Sequence, residues 1–154
     1  MTIENLFKDV YMERCDKESD NMLAEEGIDF LQQPIEHLKK HKNEFIYIEG
    51  ESFDQLGIDS LSFEIDDVFG TYEVLLGLKL QKKFQPNIKE FLSKELDGED
   101  PKYSLMFSNE DGLWNLNFPL NRVEGFKDEM NFEEAFTLIH QFLGELVETV
   151  KIKK

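Results

Sequence analysis

Cysteine is nearly missing from this chain of 154 residues: Cys15 stands alone, and no disulfide can form within it. A reducing compartment suits such a chain, so a cytoplasmic protein is expected. No apolar run approaches the roughly 20 residues that a membrane helix needs. Met1 to Val10, which contains Glu4 and Asp9, has no apolar stretch of signal-peptide length. Glycine-rich phosphate loops, a serine nucleophile elbow and zinc-binding spacings are absent, as are basic patches interleaved with aromatics. Cations are scarce, with 17 Lys and Arg against 33 Asp and Glu, a formal net charge of −16. Between Asn43 and Leu78 there are nine acidic residues and neither Lys nor Arg. Such a surface repels phosphates and anionic lipid headgroups, which argues against nucleic acid and membranes as partners. A basic peptide, a cation or a basic protein surface would be steered toward it.

What is present is enough to fold. Apolar residues make up 40% of the chain and Phe occurs 14 times, so residues 1–154 are read as one domain with a real core. Ile3, Leu6, Phe7, Val10 and Tyr11 have helical spacing, which predicts an amphipathic helix from Ile3 to Arg14. Cys15 to Gly27 reads as loop or a second helical turn. Pro34 suits a first helical position and Lys39, Lys40, His41 and Lys42 suit a last turn, so a helix from Pro34 to Lys42 is expected. Three strands follow: Phe45 to Ile48, then Leu61, Phe63 and Ile65, then Tyr72, Val74, Leu76, Leu78 and Leu80, the last two meeting at a turn at Phe69-Gly70. Pro86 opens a short helix burying Ile88, Phe91, Leu92 and Leu96, and Asp97 to Pro101 breaks it. Tyr103, Leu105 and Phe107 alternate, as do Trp114, Leu116 and Phe118, with Asn109 to Gly112 as the hairpin loop between them. Asn131 and Glu134 form a capping-box pattern before a long apolar stripe running from Phe132 to Val150. The expected fold is a two-layer α+β sandwich. A mainly antiparallel sheet of about five strands carries helices on one face, in the order α-β-β-β-α-β-β-α plus an extra N-terminal helix.

Side-chain constellations are sparse. His37 and His41 stand i, i+4 on the expected helix, but two histidines with lysines around them are too few ligands for a metal, and no metal or other cofactor is expected. Cys15 lies among Glu13, Asp16 and Glu18, whose charge disfavours a thiolate. His140, on the last helix beside Ile139, reads as a surface or boundary residue. The acidic groups Asp66-Asp67, Asp97-Gly98-Glu99-Asp100 and Asn109-Glu110-Asp111-Gly112 lack calcium-loop spacing and read as turns. The polar outer face of the sheet is the remaining candidate. Phe45, Tyr47, Leu75 and Met106 fall on that side, where clustering would make an apolar patch ringed by acids, the anatomy of a partner-binding surface.

The element order from about residue 30 to 150 resembles the type III secretion chaperone-like fold, which the YbjN family shares. The stretch from Pro86 to Val150 is most similar: a short helix, Tyr103 to Phe107, Asp111-Gly112, Trp114 to Phe118, then the long helix. The resemblance implies a non-enzymatic cytoplasmic protein, a homodimer in many members, that binds another polypeptide. A chaperone-like protein-binding module is therefore the expected function. An immunity or inhibitor protein for a basic partner is one alternative, and an enzyme with a carboxylate or metal site assembled in space is the other.

Overall fold

Backbone pairing in the computed structural model, which describes residues 6–96 and 103–152, gathers seven strands into one sheet. They are β1 (Tyr11–Asp16), β2 (Met22–Glu26), β3 (Glu44–Glu49), β4 (Ile58–Ile65), β5 (Tyr72–Leu78), β6 (Ser104–Ser108) and β7 (Leu113–Pro119). The strand order is β2-β1-β3-β4-β5-β7-β6, and every neighbouring pair is antiparallel. Among the described residues the helices are α1 (His37–Lys40), α2 (Glu51–Asp54), α3 (Gln85–Glu95) and α4 (Phe132–Ile152).

The class is α+β, but the expected sheet of about five strands is corrected to seven. The difference lies in the N-terminal hairpin β1–β2, where a helix from Ile3 to Arg14 was expected. Ile3 lies outside the described residues; Leu6 and Phe7 are buried, and strand begins at Tyr11. The reason is chemical. A strand announces itself by alternating polarity, and β1 has none: Met12 and Arg14 face the helices, while Tyr11, Glu13 and Cys15 face away. In β2 the pattern is inverted, with Ala24 and Glu26 on the inner side and Met22 and Leu23 exposed. The expected helix from Pro34 to Lys42 also shrinks, to His37–Lys40. Pro34 forms a bridge with Asn131 instead; Ile35 N–H donates to Met130 O at 3.0 Å and Phe132 N–H donates to Gln33 O at 3.0 Å. These bonds tie the segment to the start of α4. The expected break at Asp97 to Pro101 lies outside the described residues.

Local signals hold where a single backbone device decides the conformation. Asp66 Oδ1 accepts from the N–H groups of Val68 and Phe69, and Gly70 takes φ +69°, which closes the β4–β5 hairpin. Asn131 Oδ1 accepts from Glu134 N–H at 2.8 Å while Glu134 Oε1 accepts from Asn131 N–H at 3.1 Å, a reciprocal capping box. Pro86 lies in the first turn of α3, above buried Ile88, Phe91 and Leu92.

The core lies between the inner sheet face and the helices. Ile46, Phe63, Val74, Leu116 and Phe118 from the strands meet Phe132, Phe136, Ile139, Leu143 and Leu146 from α4, all fully or almost fully buried. Gly144 interrupts this helix, yet a Cβ there would meet only Leu56 methyl carbons at 3.9 Å, ordinary van der Waals contact. Gly144→Ala should therefore stabilise the fold by about 0.5–1 kcal/mol, the usual helix-interior difference. Thermal unfolding should shift upward by about 2–4 °C for each kcal/mol gained; a drop would mean that α4 packs more tightly on Leu56 than this distance allows.

Candidate outer-face binding cleft

Side chains alternate across the sheet, and the buried apolar residues of α1 to α4 join the core on its inner side. The outer side is left to strand residues. Strand register sets them in rows. One row runs Glu13, Tyr47, Ser62, Leu75, Asn117 and Ser104; the next runs Cys15, Phe45, Glu64, Glu73 and Pro119.

A cleft of about 630 Å³ opens on this face over β5, β7 and β6. Leu75 and Met106 line it together with Asp59, Lys79, Asp111 and Asn115. Two backbone features shape it. Gly77 stands where a Cβ would come within 3.2 Å of both Asp59 O and the Leu113 methyls, so only glycine leaves that close approach undisturbed. The β4–β5 pairing is irregular between Asp59 and Ser62, and Ser60 there takes φ +56°. This bulge carries Asp59 to the cleft rim.

The four candidate residues all belong to the outer face but do not form one patch. Leu75 and Met106 share the cleft, and Met106, on the edge strand, is 68% exposed. Tyr47 and Phe45 are half-buried on β3, separated from β5 by Ser62 and Glu64 of β4. With strands about 4.8 Å apart, Tyr47 stands roughly 10 Å from Leu75.

Charge on this face is mostly negative. Lys17 Nζ reaches Glu64 Oε2 at 3.2 Å and donates to Ile65 O at 2.6 Å. Glu64 sits directly opposite Glu73. Burial pushes the Glu73 carboxyl up; the Thr71 hydroxyl opposes this, and the Asp66 and Glu64 charges add to it. Glu73 nevertheless stands outside the cleft, so the raised carboxyl and the opening do not coincide. The Tyr47 phenol is pushed up to about 12 by burial and by its hydrogen bond to Glu49. Tyr11, whose hydroxyl donates to Glu13, is likewise raised to about 12. Burial, and then its own contact with Glu13, raises the Cys15 thiol to about 11. Both effects disfavour the Cys15 thiolate, the form a nucleophilic cysteine needs.

A second polar cluster occupies the inner face, and sequence reasoning missed it. Arg14 Nε meets Glu26 Oε2 at 2.7 Å, Arg14 Nη1 meets Glu44 Oε2 at 3.0 Å, and His37 Nε2 meets Glu44 Oε1 at 3.0 Å. Burial alone would raise the Glu44 carboxyl; the hydrogen bonds from His37 and Arg14 outweigh it and hold the group below its usual range. His41 Nδ1 lies 3.9 Å from Glu44 Oε2, an oxygen already engaged by Arg14. Among the described residues no group of His, Cys, Asp and Glu is arranged to hold a metal ion. The only sequence signal for this cluster was an arginine in an acidic neighbourhood, and its partners are spread from residue 14 to residue 44.

His140 is a packing residue. Its ring stands edge-on to Phe53 at 5.4 Å, and its Nε2 is 3.1 Å from Ser52 O, which ties α4 to α2. Burial pushes its pKa down. The acidic cluster Asp97-Gly98-Glu99-Asp100 lies outside the described residues. Among those that are described, no helix is long and apolar enough to cross a membrane. No protein-family model, curated protein or solved structure matches this chain at a significant level.

Proposed function

We propose that this chain is a non-enzymatic, cytoplasmic protein-binding module whose outer sheet face takes a basic segment of another polypeptide. The observation that carries the reading is the cleft: Leu75 and Met106 line an open hollow of about 630 Å³ on a sheet face that bears Glu13, Glu49, Asp59, Glu64 and Glu73. Apolar contact surface lined also by Asp59, Asp111 and Lys79, on a sheet face that is acidic beyond it, favours a partner with apolar side chains between lysines or arginines. The acids accelerate the encounter, and the apolar floor slows dissociation. The resemblance of the element order from Pro86 to Val150 to secretion chaperone-like proteins implies the same class of partner.

A synthetic peptide of alternating Lys and Leu, titrated against the labelled protein by NMR, tests this. Backbone shifts should concentrate at Leu75, Gly77, Met106 and Asn117, and affinity should fall steeply with salt. Leu75→Lys should weaken binding by at least about tenfold, through lost apolar contact and added repulsion. Val68→Lys, on the exposed β4–β5 turn, should weaken it far less. Equal losses for the two variants, or shifts spread evenly over all acidic regions, would show general charge attraction and sink the reading.

A further inference from the structure

Among the described residues the two edges of the sheet are β2 and β6, and they differ in chemistry. Strand β2 ends in Glu25 and Glu26, charges that oppose pairing with another strand. Strand β6 reads Ser-Leu-Met-Phe-Ser, with no charge and no proline among its five residues. Natural edges without such guards are templates for a further strand. The β6 sequence also has a symmetry of its own. About Met106, Ser104 mirrors Ser108 and Leu105 mirrors Phe107.

We infer that β6 pairs antiparallel with β6 of a second copy, about a twofold axis through Met106. A twofold interface needs a self-complementary surface, and a strand of palindromic character supplies one. In this register Met106 meets the partner's Met106, Leu105 meets the partner's Phe107, and Ser104 meets the partner's Ser108. The faces agree as well. An antiparallel edge pairing has its axis perpendicular to the sheet, so the outer faces of both copies point the same way. Met106, 68% exposed in one copy, is covered on the outer side. Leu105, opposite Leu116, and Phe107, edge-on to Trp114, are half-buried and become covered on the inner side. Two seven-stranded sheets become one continuous sheet.

The pairing completes the cleft. Met106 lines the cleft at the open end of the strand order, and the partner's Met106 walls that side, so two clefts lie side by side across the axis. The inference stands on the edge strand and not on what the cleft binds. Five residues of strand contact make a small interface, so the dimer is weak. Each copy carries a net charge of −16, so added salt should strengthen the association.

Sedimentation of the unmodified chain from about 1 μM to about 1 mM, at low and at high salt, gives the first measurement. A monomer–dimer equilibrium that tightens with salt is expected. The register is tested by thiols. Directly opposed residues in an antiparallel pair have Cα atoms about 4.5–5.5 Å apart, within disulfide reach. Met106→Cys should therefore form intermolecular disulfides under mild oxidation at least about tenfold faster than Ser104→Cys, whose copies stand four residues out of register. Mixing Ser104→Cys with Ser108→Cys should restore fast crosslinking between the two. Near-ultraviolet circular dichroism of Trp114 confirms that each variant is folded. A chain that is monomeric throughout overturns the inference. So does a dimer in which Met106→Cys crosslinks no faster than Ser104→Cys, because it would then form through another surface. Failure of peptide binding, by contrast, leaves the crosslinking result untouched, so the two proposals fail separately.

Discussion

Phe136→Ala should lower the folding stability by about 3–5 kcal/mol, the range for removing a buried phenylalanine ring. Phe136 is completely buried on α4, and its ring packs against Phe63 of β4 at 5.8 Å and Phe132 at 6.2 Å. Truncation removes the contact area of all three rings and leaves a cavity that neither the central strand β4 nor a 21-residue helix can close by moving. For a domain of this size the midpoint of thermal unfolding should drop by roughly 2–4 °C per kcal/mol. Trp114 is the only tryptophan and is buried, so its fluorescence reports the loss of the core directly. A change in stability below about 1 kcal/mol in urea would show that this ring does not face the sheet.

Arg14→Met should cost about 3 kcal/mol at neutral pH, the low end for breaking a buried ion pair because Arg14 keeps a quarter of its side chain exposed. The variant leaves the Glu44 carboxylate, 8% exposed, with His37 as its remaining close partner, and separates Glu26 from its cation. The pH dependence identifies the cause. The Glu44 pKa is depressed in the folded protein, so its contribution is present above the unfolded value of about 4.3 and is lost as pH falls through the lower folded value. The deficit of Arg14→Met should therefore shrink as pH is lowered from neutral through about 4, because a protonated Glu44 no longer needs the guanidinium. Denaturant midpoints for both proteins across this range provide the check. A deficit that stays constant would assign the loss to the packing of the arginine stem and not to its charge.

The two variants also separate what was legible from what was not. Phe136 could be placed in the core from spacing alone, because a long helix against a sheet must turn its apolar stripe inward, and the capping box at Asn131 fixed where the helix starts. The β4–β5 and β6–β7 hairpins were equally readable, since glycines at Gly70 and Gly112 adopt positive φ where the chain reverses. Arg14 was not legible. Its strand was read as helix because an inward arginine and an outward tyrosine cancel the alternation by which strands are recognised.

The sequence by itself determined the α+β class, the identity of α3 and α4, the hairpin turns and the outward position of Leu75 and Met106. Each of these depends on residues close together in the chain. Only the tertiary structure decided that the sheet has seven strands, that Leu75 and Met106 share a cleft while Phe45 and Tyr47 do not, and that Arg14 joins Glu26 to Glu44. These facts depend on strand order and on charge pairs between distant segments. A polarity pattern fixes which face a residue occupies, whereas its neighbours on that face are set by which strands pair.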